Sequence, residues 1–382
     1  MAHMRRLRRC MINLQLPIEC SLQNSGPFVC RVEMPSENRF GEKGLALETD
    51  GKDGSVGNFE GLKIFFPGVK AEELYGDVLL VVPGHQTASR LIRCNSHHNT
   101  LLFTEQCDQL CVMCSQPPKR INDQWRLPFY KEAVRLADEG IPIGISGGEP
   151  TLQRDLFFDL LEDIVSSRPD IKLHILTNGQ HFRDEDVPTL RRLNEECDIL
   201  WGVPLYAPEA ESHDRIVFKD GAFEVLMPNL FRLASAKAKI ELRTVLTGMN
   251  YPQLPSLANF ISKNLFFLKV WAIMGLEPTG FAKAFREDLF VDHSVFFEPL
   301  EHALDIAKLR RIPTTLYNIP LCTVPPQYRK YCADTISDWK KKYLPECAPC
   351  EKRDSCSGFF EWYNESWRFE EINPLSAKGE SL

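Results

Sequence analysis

Two stretches decide how this chain folds: Asn99–Cys114 (NTLLFTEQCDQLCVMC) and Ile141–Pro150 (IPIGISGGEP). Each starts as an apolar run of strand length and ends in a loop of unusual composition. In the first, Cys107, Cys111 and Cys114 lie within eight residues. That is close enough for their thiolates to wrap one compact metal cluster. In the second, Gly147 and Gly148 allow close backbone approach, and Glu149 is an acceptor suited to a bound ammonium. Further on, Lys172–Leu176 reads as a strand ending in Thr177-Asn178-Gly179, and Ile199–Leu205, Lys239–Leu246 and Phe267–Met274 read as three more. The intervening segments Leu127–Asp138, Asp155–Ser166, Pro188–Asn194, Phe223–Ala236 and Leu254–Ser262 have helical periodicity. Alternation of this kind predicts a parallel sheet with right-handed crossovers. Six units in about 175 residues are too few for a closed eight-fold barrel, which needs about 200 or more, so a partial (β/α)6 TIM-like barrel is expected.

Before this block, PFVCRVEM, LKIFFP and DVLLVVPG are short apolar runs separated by Gly, Asn and Asp clusters, and they predict a mainly-β N-terminal module. The expected organisation is α/β. The module spans 1–98, with Met1–Met4 set aside as a cloning scar, and the barrel spans 99–290. A linker helix and cysteine-rich extension cover 291–369, and a flexible tail covers 370–382.

Composition narrows the function classes. The 382 residues carry 45 Lys plus Arg against 52 Asp plus Glu, a formal charge of −7, and no long basic tract. That is a poor match to general nucleic-acid binding. No apolar run approaches the roughly 18 residues of a membrane span, and the opening residues lack the apolar stretch of a signal peptide. A cytoplasmic protein is expected. Thirteen cysteines are many for such a chain. An odd count in a chain of this size argues against a disulfide framework and for metal or catalysis. Cys10, Cys20, Cys30, Cys94 and Cys197 are scattered and read as buried, inert thiols.

Iron–sulfur cubanes usually take four cysteines, and the local run supplies three, which leaves one iron open. The alternative is a Cys3His zinc site completed by His97 or His98. The Cys-x-x-x-Cys-x-x-Cys run after the first strand of a partial barrel resembles the radical S-adenosylmethionine (radical SAM) superfamily. The resemblance implies that Cys107, Cys111 and Cys114 hold a [4Fe–4S] cluster whose open iron takes S-adenosylmethionine. The Gly147-Gly148-Glu149-Pro150 turn is similar to the family loop that binds the methionine amino group. Thr177 and Asn178 end the third strand, where barrel sites collect functional residues. Arg243, on a late strand, matches relatives that pair an arginine with the cofactor carboxylate; a structural arginine at the barrel rim is the other reading. Trp271–Gly275, with Met274, resembles the apolar ledge under adenine and reads equally as a core strand. Met113 stands where many relatives carry an aromatic near the adenine. Tyr206, His213 and Asp214 follow the fourth strand as either acid–base groups or surface residues.

Near the C-terminus, Cys322, Cys347, Cys350 and Cys356 have the spacing of a second metal site, iron–sulfur or zinc. Cys332, in the helix-like stretch YCADTISDW, is the spare fifth thiol. In the resembling family this placement is that of twitch or SPASM extensions with an auxiliary [4Fe–4S] cluster. From about Gly76 to Phe360 the chain further resembles the C-type maturases of the His-Xaa-Ser peptide system. That likeness implies a ribosomally made precursor peptide as substrate, a companion maturase and an electron donor such as flavodoxin. Two other readings remain: the same chemistry on a small molecule or nucleoside, and a non-catalytic iron–sulfur or zinc scaffold.

Overall fold

The structure, a computed structural model, describes residues 14–20, 25–37, 39–50 and 53–376. Cys10, Met1–Met4 and the last residues of the expected tail lie outside them. The described residues form two compact units. One comprises those up to Leu101 with Gln124–Gly144 and Phe158–Lys172; the other comprises Leu102–Asp123, Ile145–Phe157 and everything from Leu173 on.

The first unit is built on an eight-stranded mixed sheet. Its strands are β1 (Gln15–Pro17), β2 (Glu19–Cys20), β3 (Phe28–Glu33), β4 (Gly44–Asp50), β5 (Gly54–Phe59), β6 (Leu62–Pro67), β7 (Val78–Val82) and β8 (Thr87–Ile92). Their order is β1-β8-β7-β3-β4-β5-β6-β2. β1 and β2, consecutive in the chain, occupy opposite ends of that order. Alternation along the strands turns Leu45, Leu47, Ile64, Phe66, Leu79 and Val81 into one core. Helix α1 (Leu127–Arg135) belongs to this unit. The buried Arg31 donates to Leu136 O (2.7 Å) just past its end and pairs with Asp138 (2.7 Å). Of the scattered thiols, Cys30 here and Cys197 in the second unit are buried, as expected. Cys20 and Cys94 are only half-buried, and each donates to a backbone carbonyl, Pro83 O and Tyr75 O respectively.

The second sheet has seven strands in chain order: β9 (Asn99–Thr104), β10 (Pro142–Gly147), β11 (Lys172–Leu176), β12 (Asp198–Pro204), β13 (Lys239–Val245), β14 (Val270–Met274) and β15 (Thr314–Tyr317). The end strands do not pair, so the parallel sheet stays open, as a partial barrel does. The crossovers carry helices α2 (Arg154–Ser167), α3 (Val187–Glu196), α4 (Ala210–Val217), α5 (Ala222–Ser235) and α6 (Leu254–Asn264); α7 (Arg286–Leu289) and α8 (Glu298–Leu309) precede β15. The sheet has one strand more than the expected six. β15 is four residues long and half-buried at the sheet edge, so it lacks the apolar run that marks the others. Trp201 and Trp271 are fully buried, and their indole N–H groups donate to Asn194 Oδ1 and Thr244 Oγ1, both at 2.9 Å. Trp271 is therefore a core residue of this sheet.

Past β15 the chain runs in 3-10 turns and one short hairpin, β16 (Lys341–Lys342) with β17 (Phe359–Phe360). The segment read as helix-like around Cys332 is extended, with Cys332 bridged to Leu316. Its helical spacing is overridden by this edge pairing.

Candidate functional site

The loop that follows β9 is fastened on three sides. Gly148 N donates to Thr104 O (2.7 Å) and Glu149 N to Gln106 O (2.8 Å). A Cβ on Gly147 would fall on the carbonyl oxygen of Thr104, and one on Gly148 on that of Gln106. Gly147 also has φ 145°, which side-chain-bearing residues avoid. The two glycines thus let one loop lie against the next, backbone to backbone. At its far end, Asp123 accepts from Thr104 Oγ1 (3.1 Å) and Glu105 N (2.6 Å). In the middle, Leu110 N and Val112 N donate to Val217 O (3.2 Å) and Ile216 O (3.0 Å), carbonyls that the end of α4 leaves without helical partners. Phe281 N closes the run on Cys114 O at 2.9 Å.

Asp108, between the first two cysteines, ties the loop to the ends of two more elements. It accepts from Asn178 Nδ2 (2.8 Å) and Lys219 Nζ and lies 3.2 Å from His181 Nε2. Burial works against its charge, yet the nearby His181 and the bond from Lys219 hold the carboxyl well below the usual carboxylate range. Nothing in the local spacing marked Asp108 or His181.

Cys107, Cys111 and Cys114 are free, half-buried thiols on this frame. Burial pushes the Cys107 thiol up to about 12 and raises Cys111 further, where Cys114 and Cys107 add their own repulsion. Three thiols that feel one another's charge in a partly dry loop are a donor set that a cationic iron–sulfur cluster fits. Among the described residues no three His, Cys, Asp or Glu groups are set to hold a single metal ion.

Glu149 is fully buried, and its carboxylate is occupied by the protein itself. Oε1 accepts from Thr151 N (2.8 Å), Thr151 Oγ1 and Thr177 Oγ1 (2.7 Å); Oε2 accepts from Asn178 N. Four bonds fill a carboxylate's usual capacity. Burial raises the Glu149 pKa, and these bonds oppose it. Glu149, Thr177 and Asn178 therefore come together as one knot joining the loops after β10 and β11, with Pro150 buried at the start of the turn that Glu149 caps.

On β13, Glu241 and Arg243 share a face, two residues apart, and are ion-paired. Glu241 also meets His174 Nε2 (3.2 Å) from β11 and accepts from Tyr317 Oη (3.0 Å) on β15. Burial opposes its charge, but His174 and Arg243 bring its pKa down to about 2. Gly202 on β12 leaves the room: a Cβ there would press on Leu176, Arg243 and His174. The Arg243 guanidinium is thus held by Glu241. Alternation places Glu241 beside Arg243, a signal present in KIELRTVL.

Met113 and Tyr206 are buried together with Ile216 and Val217, and Met274 is half-buried at the end of β14. His213 stacks on Tyr206 and accepts from its backbone N–H (3.3 Å); burial holds its pKa down at about 4. Asp214 accepts from Gly221 N (2.6 Å) and Phe223 N (2.8 Å) at the start of α5. These two residues are engaged in holding the fold.

The tail thiols converge. Cys322, Cys347, Cys350 and Cys356 line one cavity of about 360 Å3; Cys332 is not among its lining residues. Leu321 N and Gly358 N donate to Cys356 Sγ, both at 3.4 Å, and Leu375 N to Cys350 Sγ at 3.5 Å. Burial pushes Cys322 up to about 12, with Cys356, Cys347 and Cys350 contributing, and Cys347 up to about 11. Clustered sulfurs that receive backbone N–H groups have the chemistry of iron–sulfur ligands.

The profile of the radical SAM superfamily matches residues 101–261, from β9 into α6. This segment is a radical SAM domain. Its cofactors are a [4Fe–4S] cluster and S-adenosylmethionine. The domain resembles solved structures at low identity. Streptococcus suis SuiB bound to S-adenosylmethionine is 18% identical, with TM-score 0.46 over 57% of this chain and 49% of that one. The structure of anSMEcpe with bound AdoMet and Cp18Cys peptide gives 16% and 0.45 over 57% and 62%. A radical SAM methyltransferase from Sphaerobacter thermophilus gives 15% and 0.40 over 72% and 77%. This chain thus spans about half to three fifths of the first two. No curated protein matches it. Among the described residues no helix is long and apolar enough to cross a membrane.

Proposed function

We propose that this radical SAM enzyme is a maturase of a ribosomally made peptide, of the His-Xaa-Ser kind. In this reading Cys107, Cys111 and Cys114 hold the reactive cluster, and Cys322, Cys347, Cys350 and Cys356 an auxiliary one. Bound together, the first cluster and S-adenosylmethionine supply a 5′-deoxyadenosyl radical that removes a hydrogen atom from substrate. The chain's own residues do the positioning. The Glu149–Thr177–Asn178 knot and Asp108 fix the cysteine loop, and Glu241 presents Arg243 toward the methionine carboxylate. Met113, Tyr206 and Met274 supply apolar surface near the adenine.

The observation that carries the proposal is the packing of both cysteine regions on one hydrophobic cluster. Met113, Tyr206, Phe359, Tyr363 and Trp367 are buried in it, with Cys111, Cys322 and Cys347 packed against it. A cysteine-rich segment so placed suits a large substrate more than a small one. The functional organisation is a mainly-β module to residue 98, the barrel over 99–290 and the auxiliary-cluster segment over 291–369. A reducing cytoplasm keeps the thiols free, and a flavodoxin-type donor and a companion maturase complete the system.

Co-expression with a precursor bearing His-Xaa-Ser triplets, followed by mass spectrometry of the peptide, tests this. A mass change that depends on Cys111 is expected. An unaltered peptide, from enzyme that still forms 5′-deoxyadenosine under reduction, would overturn the peptide assignment.

A further inference from the structure

The carboxyl ends of β13, β14 and β15 border a second cavity, of about 510 Å3. Active sites of barrel folds gather at this edge. Leu246, Gly275 and Asn318 form the strand side, and Phe359, Tyr363 and Trp367 come from the tail. Phe359 also lines the cysteine cavity, so the two spaces share a wall.

Within this aromatic lining stands His293, only 3% exposed. Its Nε2 lies 2.9 Å from Thr323 Oγ1, and that hydroxyl gives its single proton to Pro320 O at 2.8 Å. With the hydroxyl proton so placed, Nε2 is the donor of this pair and Nδ1 the acceptor nitrogen. Nδ1 has no partner among the described residues. Burial brings the His293 pKa down to about 4, so the ring is neutral near pH 7. Asn318 adds the converse group: its Oδ1 accepts from Thr335 Oγ1 (3.1 Å), and its Nδ2 donor has no partner among the described residues.

An acceptor and a donor that the protein leaves unanswered among the cavity-lining residues favour an occupant that answers both. An alkyl or phenyl side chain answers neither. An indole N–H answers only the acceptor. A phenol hydroxyl donates and accepts at once, on an aromatic body that suits the wall.

We propose that this cavity seats a tyrosine side chain of the substrate peptide, with His293 and Asn318 reading its hydroxyl. The proposal rests on the peptide assignment above and names what the peptide must carry. It is tested on the reconstituted enzyme with p-cresol, the tyrosine side chain as a free molecule, and toluene, its isostere without the hydroxyl. By calorimetry p-cresol should bind about five- to tenfold more tightly, the worth of one net hydrogen bond. His293→Phe should erase that preference while toluene binding remains. Leu276→Trp, which fills the cavity from its lining, should weaken both. Equal affinities in the unaltered enzyme would overturn the proposal and need no variant to show it. So would a preference that survives His293→Phe. A peptide modified by an enzyme with no such preference would remove the pocket and leave the maturase standing. The preference without peptide modification would do the reverse.

Discussion

The two cysteine regions are held in opposite ways. The loop of Cys107, Cys111 and Cys114 is fixed by the protein: its backbone bonds to the loop after β10, the end of α4 and the turn at Phe281, and Asp108 ties it to Asn178 and Lys219. The segment of Cys322, Cys347, Cys350 and Cys356 has 3-10 turns of three to six residues and one pair of two-residue strands, and several backbone N–H groups there point at the sulfurs themselves. One site is fixed by bonds among backbone and side-chain groups of neighbouring elements; the other leans more on its sulfurs as acceptors. The difference teaches that metal should matter to chemistry in the first region and to folding in the second.

The largest expected effect breaks the first region alone. Cys111→Ala removes a thiolate that no nearby cysteine replaces, so reductive 5′-deoxyadenosine formation should vanish while the melting temperature changes little. Retained formation would show that these three thiols do not hold the reactive cluster.

Next comes metal removal. Chelated protein should be cut by protease within 337–376 while the barrel strands stay protected. Anaerobic reconstitution should give about twice the iron of one cubane, and the triple Cys107, Cys111 and Cys114 to Ala variant roughly half of that, by cluster counting. Zinc in place of iron in that variant would make the tail a structural knuckle.

Glu149→Gln sharpens the contrast further. With both carboxylate oxygens engaged inside the protein, the substitution should destabilise even the metal-free enzyme by about 1.5–3 kcal/mol, the scale of a charged hydrogen bond, at unchanged iron content. An unaltered denaturation midpoint, with weakened S-adenosylmethionine binding, would instead assign Glu149 to the ligand.

Smaller, and confined to acid, is the effect of Glu241. Its folded pKa of about 2 lies below the ordinary 4.5, so its stabilising contribution is complete above pH 4.5 and declines as the pH falls toward 2. The melting-temperature gap between the unaltered protein and Glu241→Gln should be widest near neutrality and narrow below pH 4.5. A gap that does not change with pH would show that its ion pairs contribute nothing. The smallest effect expected is none: Cys332→Ser should leave the iron content as it was, since this thiol does not line the cavity. Loss of half the iron would bring Cys332 into the ligand set.

Sequence alone determined what is local. Strand and helix periods placed the strands from β9 to β14, with Lys172–Leu176 matching β11 to the residue, because alternation and 3.6-residue periods are set by which face each segment buries. The spacing of Cys107, Cys111 and Cys114 was equally legible, being a property of one loop. Tertiary structure decided what depends on residues far apart in the chain. Gly147 and Gly148 lie against the carbonyls of Thr104 and Gln106, more than 40 residues earlier. Glu149 finds Thr177 and Asn178 at the end of the next strand, so its buried charge is satisfied internally. His174, Glu241 and Tyr317 meet only because β11, β13 and β15 lie in one sheet. Cys332 is placed by an edge pairing with Leu316 that no local period reveals. Spacing reports which side of its own element a residue occupies; only the folded sheet brings the ends of separate elements within hydrogen-bonding distance, and the polar groups of this site are satisfied there.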